Sequence, residues 1–161
     1  DEMASRTYID ADRMGLHGYS YGGFMTTWTI GHDNRFKAAV AGAPVTNLSS
    51  FYGTSDIGVS FGERQIDGRR IDEIGKYLFR SPLTYVESVE TPLLIIHGEA
   101  DVRVPMEQSE QYYVSLKRLD KTVEFVRFPD FSHLSKRTGH PVLRQEYGDR
   151  MMAWFDKYLK E

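Results

Sequence analysis

An α/β fold, a mostly parallel sheet flanked by helices, is predicted by two features of this 161-residue sequence. Strand-like and helix-like segments alternate along the chain, the order that crossovers between parallel strands require. One segment, Pro92-Leu93-Leu94-Ile95-Ile96-His97, is an apolar run closed by a histidine, as in a strand covered on both faces. No repeat, low-complexity tract or linker interrupts the chain, so one domain is expected over residues 1–161.

The elements follow in order. Arg13-Met14-Gly15-Leu16-His17 is a short, mostly apolar strand that runs into Gly18-Tyr19-Ser20-Tyr21-Gly22-Gly23. Phe24 to Ile30 then starts a helix, stopped by Gly31-His32-Asp33-Asn34. Phe36 to Gly42 is a second strand, ended by Ala43-Pro44. Residues 45–91 are less regular, with scattered glycines and a helix expected only near Asp72 to Phe79. After the Pro92–His97 strand, Pro105 opens a helix through Leu119, with Tyr112, Leu116 and Leu119 near helical spacing. Thr122 to Phe128 alternates like a strand. Arg144 to Leu159 closes the chain as a helix with Tyr147, Met151, Trp154, Phe155 and Tyr158 on its apolar face.

Composition narrows the class of function. Apolar residues make up 40% and charged residues 27%, a globular balance. The formal net charge of −3 argues against a polyanion-binding surface, so no nucleic-acid partner is expected. The longest apolar run is too short to span a bilayer, and no membrane association is expected. Cysteine is absent, so the fold does not rely on disulfides, and a cytoplasmic location is the expectation. With no cysteine and no histidine pair at i, i+4 on a helix, a metal site is not expected. Neither a phosphate-binding G-x-x-x-x-G-K-[ST] nor a dinucleotide G-x-G-x-x-G occurs, and no cofactor is expected.

Gly18-Tyr19-Ser20-Tyr21-Gly22 fits G-x-S-x-G between a strand and a helix. A sharp strand-to-helix turn forces the serine hydroxyl out of the sheet, and the glycines permit the tight backbone. Ser20 is therefore the candidate nucleophile, against the simpler reading of a serine that caps a helix. The amide of Tyr21, at the helix N-terminus, is the candidate oxyanion donor. A hydroxyl is a poor nucleophile without a base, and the base needs a third group to orient it. In this arrangement the acid and then the histidine follow the serine. Ligand sites in parallel sheets lie beyond the carboxyl ends of the strands, which directs attention to two loops. Asp101, in Gly98-Glu99-Ala100-Asp101, is the candidate acid, with Glu99 the nearest rival. His133, in Pro129-Asp130-Phe131-Ser132-His133, is the candidate base, with His140 a rival. His17, His32 and His97 read as packed or solvated histidines.

Three ordered blocks carry a family resemblance. They are Gly18 to Met25, His97-Gly98-Glu99-Ala100-Asp101-Val102-Arg103-Val104-Pro105, and Phe128 to His133. Together the sequence resembles the prolyl oligopeptidase family of serine peptidases. Ser135 to Pro141 and Gln108 to Leu116 are similar to its acylaminoacyl-peptidase branch. The resemblance implies an α/β-hydrolase fold and hydrolysis of short, often N-acylated, peptides. It also places Arg103 as a candidate substrate-binding residue, against a surface or structural ion pair. Phe51, Tyr52 and Phe61 are candidates to line an apolar pocket, but ordinary core packing is the preferred reading.

A whole domain of this kind needs about 200–250 residues, and several strands normally precede the nucleophile. The chain is thus expected to be the C-terminal portion of an α/β-hydrolase peptidase domain, lacking the N-terminal strands. The missing part would include the loop that gives a second oxyanion donor. The expected partners are a short peptide substrate and either the rest of the domain or further copies of the chain. Two other readings stand beside the peptidase: a carboxylesterase with the same three residues, and an inactive structural fragment that completes a hydrolase domain.

Overall fold

The computed structural model describes residues 2–160. Its centre is a four-stranded sheet in the order β1 (Gly15–Tyr19), β2 (Ala38–Gly42), β3 (Leu93–Gly98) and β4 (Val123–Phe128). All three pairings are parallel, in agreement with the predicted fold class. The register sets Ala41 opposite Ile95 and Ile95 opposite Phe125, so the buried apolar run of β3 lies in the sheet interior.

Alternation along the central strands divides the core into two layers. Ala39 and Ala41 of β2, with Leu93 and Ile95 of β3, face helices α1 (Tyr21–Ile30) and α5 (Glu107–Arg118) through Ile30, Tyr112 and Leu116. Ala38, Val40, Leu94 and Ile96 point to the opposite face. There they pack on Tyr147 and Trp154 of the long helix α7 (Pro141–Leu159). The small side chains of β2 let helices approach from both sides, and each buried Leu or Ile contributes about 1.5–3 kcal/mol.

Residues 45–91 are more ordered than the sequence suggests. They form α2 (Leu48–Thr54), α3 (Gly58–Ile66), α4 (Ile74–Phe79) and a 3₁₀ segment, Pro82–Ser88. These short helices build a third core, with Val45, Leu48, Phe51, Ile66, Tyr77 and Val104, above the carboxyl ends of the strands. Their stability is tertiary: Thr46 N and Asn47 N donate to Gln108 Oε1, and Leu48 N donates to Ser81 Oγ. The last helix starts three residues earlier than predicted. Pro141 takes the first turn, where its missing N–H costs nothing, and His140 accepts from Val142 N. A short α6 (Ser135–Thr138) precedes it.

Candidate active site

Ser20 sits at the turn from β1 into α1 with φ 61° and ψ −116°, a strained conformation for a residue with a Cβ. Two backbone bonds hold it there: Ser20 N donates to Gly42 O at 2.8 Å, and Phe24 N donates to Ser20 O at 2.9 Å. The turn closes so tightly that a Cβ at position 18 would lie 2.1 Å from Gly22 O. The serine does not cap the helix through its side chain. Its hydroxyl instead donates to His133 Nε2 at 2.8 Å.

His133 stands in the loop after β4. Its Nδ1–H donates to Asp101 Oδ2 at 2.7 Å, which leaves Nε2 as the acceptor facing Ser20. Asp101 is fully buried at the carboxyl end of β3. Its other oxygen, Oδ1, accepts from Arg103 N at 3.0 Å and Val104 N at 2.8 Å, so the carboxylate organises its own loop rather than capping α5. Burial opposes ionisation of Asp101. Hydrogen bonds from His133, His97 and Val104 N outweigh it and hold the carboxyl at about 2, from 3.8.

The rivals are engaged elsewhere. Glu99 pairs with Arg127 at 2.8 Å, and His140 serves as the cap of α7. His17 Nδ1 donates to Val40 O at 3.0 Å, and His32 Nδ1 to Trp28 O at 2.7 Å. His97 is packed, as the sequence suggests, yet it touches the site. Its Nε2–H donates to Val104 O at 2.8 Å and lies 3.6 Å from Asp101 Oδ2, while Nδ1 accepts from Ser109 Oγ at 2.6 Å. No local pattern marks this role, because it depends on how the 98–104 loop folds back.

Arg103 lies beside the site, bound to Asp56. Nε donates to Oδ1 at 2.7 Å, and a terminal nitrogen donates to Oδ2 at 3.1 Å. It lines two cavities that also touch His133. One, about 100 Å³, is bounded by Ser20, Phe51, Ile57 and Phe61; the other, about 220 Å³, by Asp56, Val102 and Leu134. Phe51 and Phe61 thus serve both core and cavity, whereas Tyr52 turns away and donates to Glu63 at 2.8 Å. Tyr21 occupies the first turn of α1, where backbone N–H groups lack helical acceptors. Among the described residues, no group of three or more His, Cys, Asp or Glu is disposed to hold a metal ion.

This geometry permits acyl transfer: a half-buried hydroxyl at the rim of a cavity, a base within reach of its proton, and a buried carboxylate fixing the base. The sequence profile of the prolyl oligopeptidase family, the S9 peptidases, matches residues 1–161. The chain belongs to the prolyl oligopeptidase family. It is 48% identical over 160 residues to the uncharacterized peptidase YuxL of Bacillus subtilis, covering 99% of this chain and 24% of that protein. It is 32% identical to dipeptidyl-peptidase 5 of Porphyromonas gingivalis, covering all of this chain and 24% of the relative. The acylaminoacyl peptidase of Pyrococcus horikoshii superposes with a TM-score of 0.90 at 34% identity, over 94% of this chain and 25% of that one. The sheet is therefore part of an α/β-hydrolase fold, and this prolyl oligopeptidase family chain spans about a quarter of the length of its relatives.

Proposed function

We propose that the chain carries the catalytic residues of a serine peptidase acting on short peptides, N-acylated ones included. The carrying observation is the unbroken path from Ser20 Oγ through His133 to Asp101, with links of 2.8 and 2.7 Å. Ser20 attacks the peptide carbonyl while His133 Nε2 takes its proton. Asp101 holds the imidazole in the tautomer that accepts at Nε2 and stabilises the imidazolium that forms. The Tyr21 amide faces the developing oxyanion. His133 then returns the proton to the leaving amine, and a water activated by the same imidazole cleaves the acyl-enzyme. Arg103, with one edge held by Asp56, offers its remaining N–H groups to a substrate carbonyl. The names of the dipeptidyl and acylaminoacyl peptidases support the peptide class.

The test is steady-state and burst kinetics of the full-length protein on matched peptide and ester substrates. A peptidase turns over acylated or short peptides with an acyl-enzyme burst that Ser20→Ala abolishes. Turnover of esters alone would replace the peptidase reading with an esterase. Turnover of neither would leave a structural role.

A further inference from the structure

The residue before the nucleophile, Tyr19, makes a contact that neither the G-x-S-x-G pattern nor the acyl-transfer chemistry requires. Its hydroxyl donates to the backbone oxygen of His133 at 2.9 Å, linking residues 114 positions apart. Its ring lies against the imidazole, with centroids 5.3 Å apart and planes inclined by 39°. We propose that Tyr19 is a positioning residue that holds the His133 loop in register with Ser20, an inference that rests on the serine-hydrolase reading above.

The loop at residues 129–134 is anchored in the core at Phe131, and His133 lies two residues beyond that anchor. The loop's internal bonds are local: Ser132 N donates to Ser135 Oγ, and Ser135 N to Ser132 O. Asp130 adopts a positive φ of 56°, so the chain turns sharply without the support of a strand ladder. On the β3 side, Asp101 grips the ring of His133. Toward β1 the loop is met by Tyr19, whose ring is also approached by Lys136 of α6, just after the loop. The Lys136 ammonium lies 4.8 Å from the centroids of both the Tyr19 and Tyr147 rings.

Tyr19 is well suited to hold a fixed distance. It is the last residue of β1, and Ser20 follows it directly, so the strand that carries the nucleophile also carries the tie. Tyr147 of α7 backs its ring at 6.3 Å, edge-on. Gly42 leaves room for both rings: a Cβ there would lie 2.5 Å from Tyr19 Cδ2 and 2.2 Å from the Tyr147 hydroxyl. Burial pushes the Tyr19 phenol well above its usual range, so it stays a donor wherever the base is active. The hydroxyl restrains the loop backbone, and the ring restrains the imidazole, so both ends of His133 are held toward Ser20.

The test compares wild type with Tyr19→Phe in the full-length protein, using a fluorophosphonate whose reaction with Ser20 needs the base but no substrate pocket. Labelling to completion counts the competent sites, and the labelling rate is expressed per site. We expect the per-site rate and kcat to fall about tenfold, with KM within about twofold of wild type. A purely structural tyrosine would instead lower the number of competent sites and leave the rate per site unchanged. Unchanged per-site rates, or a rise in KM alone, would overturn the proposal. Absence of labelling in wild type would overturn the hydrolase reading and this inference with it, an outcome distinct from equal labelling of the two proteins.

Discussion

Asp101 is the residue whose charge state most strongly couples the site to the fold. Its folded pKa of about 2 lies below the ordinary 3.8, so its contribution to stability is fully present above about pH 4. It is lost as the pH falls through about 2, and the depression corresponds to about 2 kcal/mol. Denaturant unfolding of wild type and Asp101→Asn should therefore show a stability gap at neutral pH that closes as pH drops through that window. A gap independent of pH would contradict the assigned carboxylate bonds. The same substitution should reduce kcat by on the order of 10⁴, because an amide can no longer impose the tautomer that accepts at Nε2. The three site residues were legible in sequence because each carries a local mark: a glycine-flanked turn for Ser20, and strand-end loops for Asp101 and His133. The supporting roles of Tyr19 and His97 were not, since they exist only through contacts with a distant loop or a folded-back turn.

Among the elements, α2 has the clearest cause and consequence. Asn47 caps it, its Oδ1 accepting from Ser49 N and Ser50 N, and its Nδ2–H donates to Gln111 Oε1. The helix carries Phe51, which closes the small cavity beside Ser20. Asn47→Ala should cost about 1 kcal/mol of stability and raise KM more than it lowers kcat, because the pathway through His133 is untouched. Equal losses in kcat and kcat/KM, with KM unchanged, would show that Phe51 has no part in binding. The strands and the two longest helices were readable from apolar periodicity. Helices α2 and α3 were not, for they are short, and the bonds that fix the start of α2 to Gln108 and Ser81 come from segments far away in sequence. Of the short helices in residues 45–91, α4 coincides with the helix expected near Asp72 to Phe79, and α7 begins three residues before the expected Arg144, with Pro141 in its first turn.

At the scale of the whole molecule, β1 pairs with β2 on one side and forms an edge of the sheet on the other. That edge lies next to the turn that carries Ser20. Exposed parallel edges pair readily with other strands. Apolar residues at the surface, including Tyr8, Met25, Phe79 and Ile71, add to the tendency to associate. We therefore propose that the 161-residue chain, prepared alone, sediments as associated species. A monodisperse, folded monomer of the 161-residue chain would contradict this view. Among the described residues, no helix is long and apolar enough to cross a membrane. The proposed acyl-transfer machinery reduces to one relation: the hydroxyl of Ser20 and the imidazole of His133 acting together. Mapping a fluorophosphonate adduct by peptide mass spectrometry in the full-length protein tests it most directly. The expected result is a single modified peptide containing Ser20, with His133→Ala slowing its formation by several orders of magnitude; modification at another serine, or equal labelling without the imidazole, would contradict it.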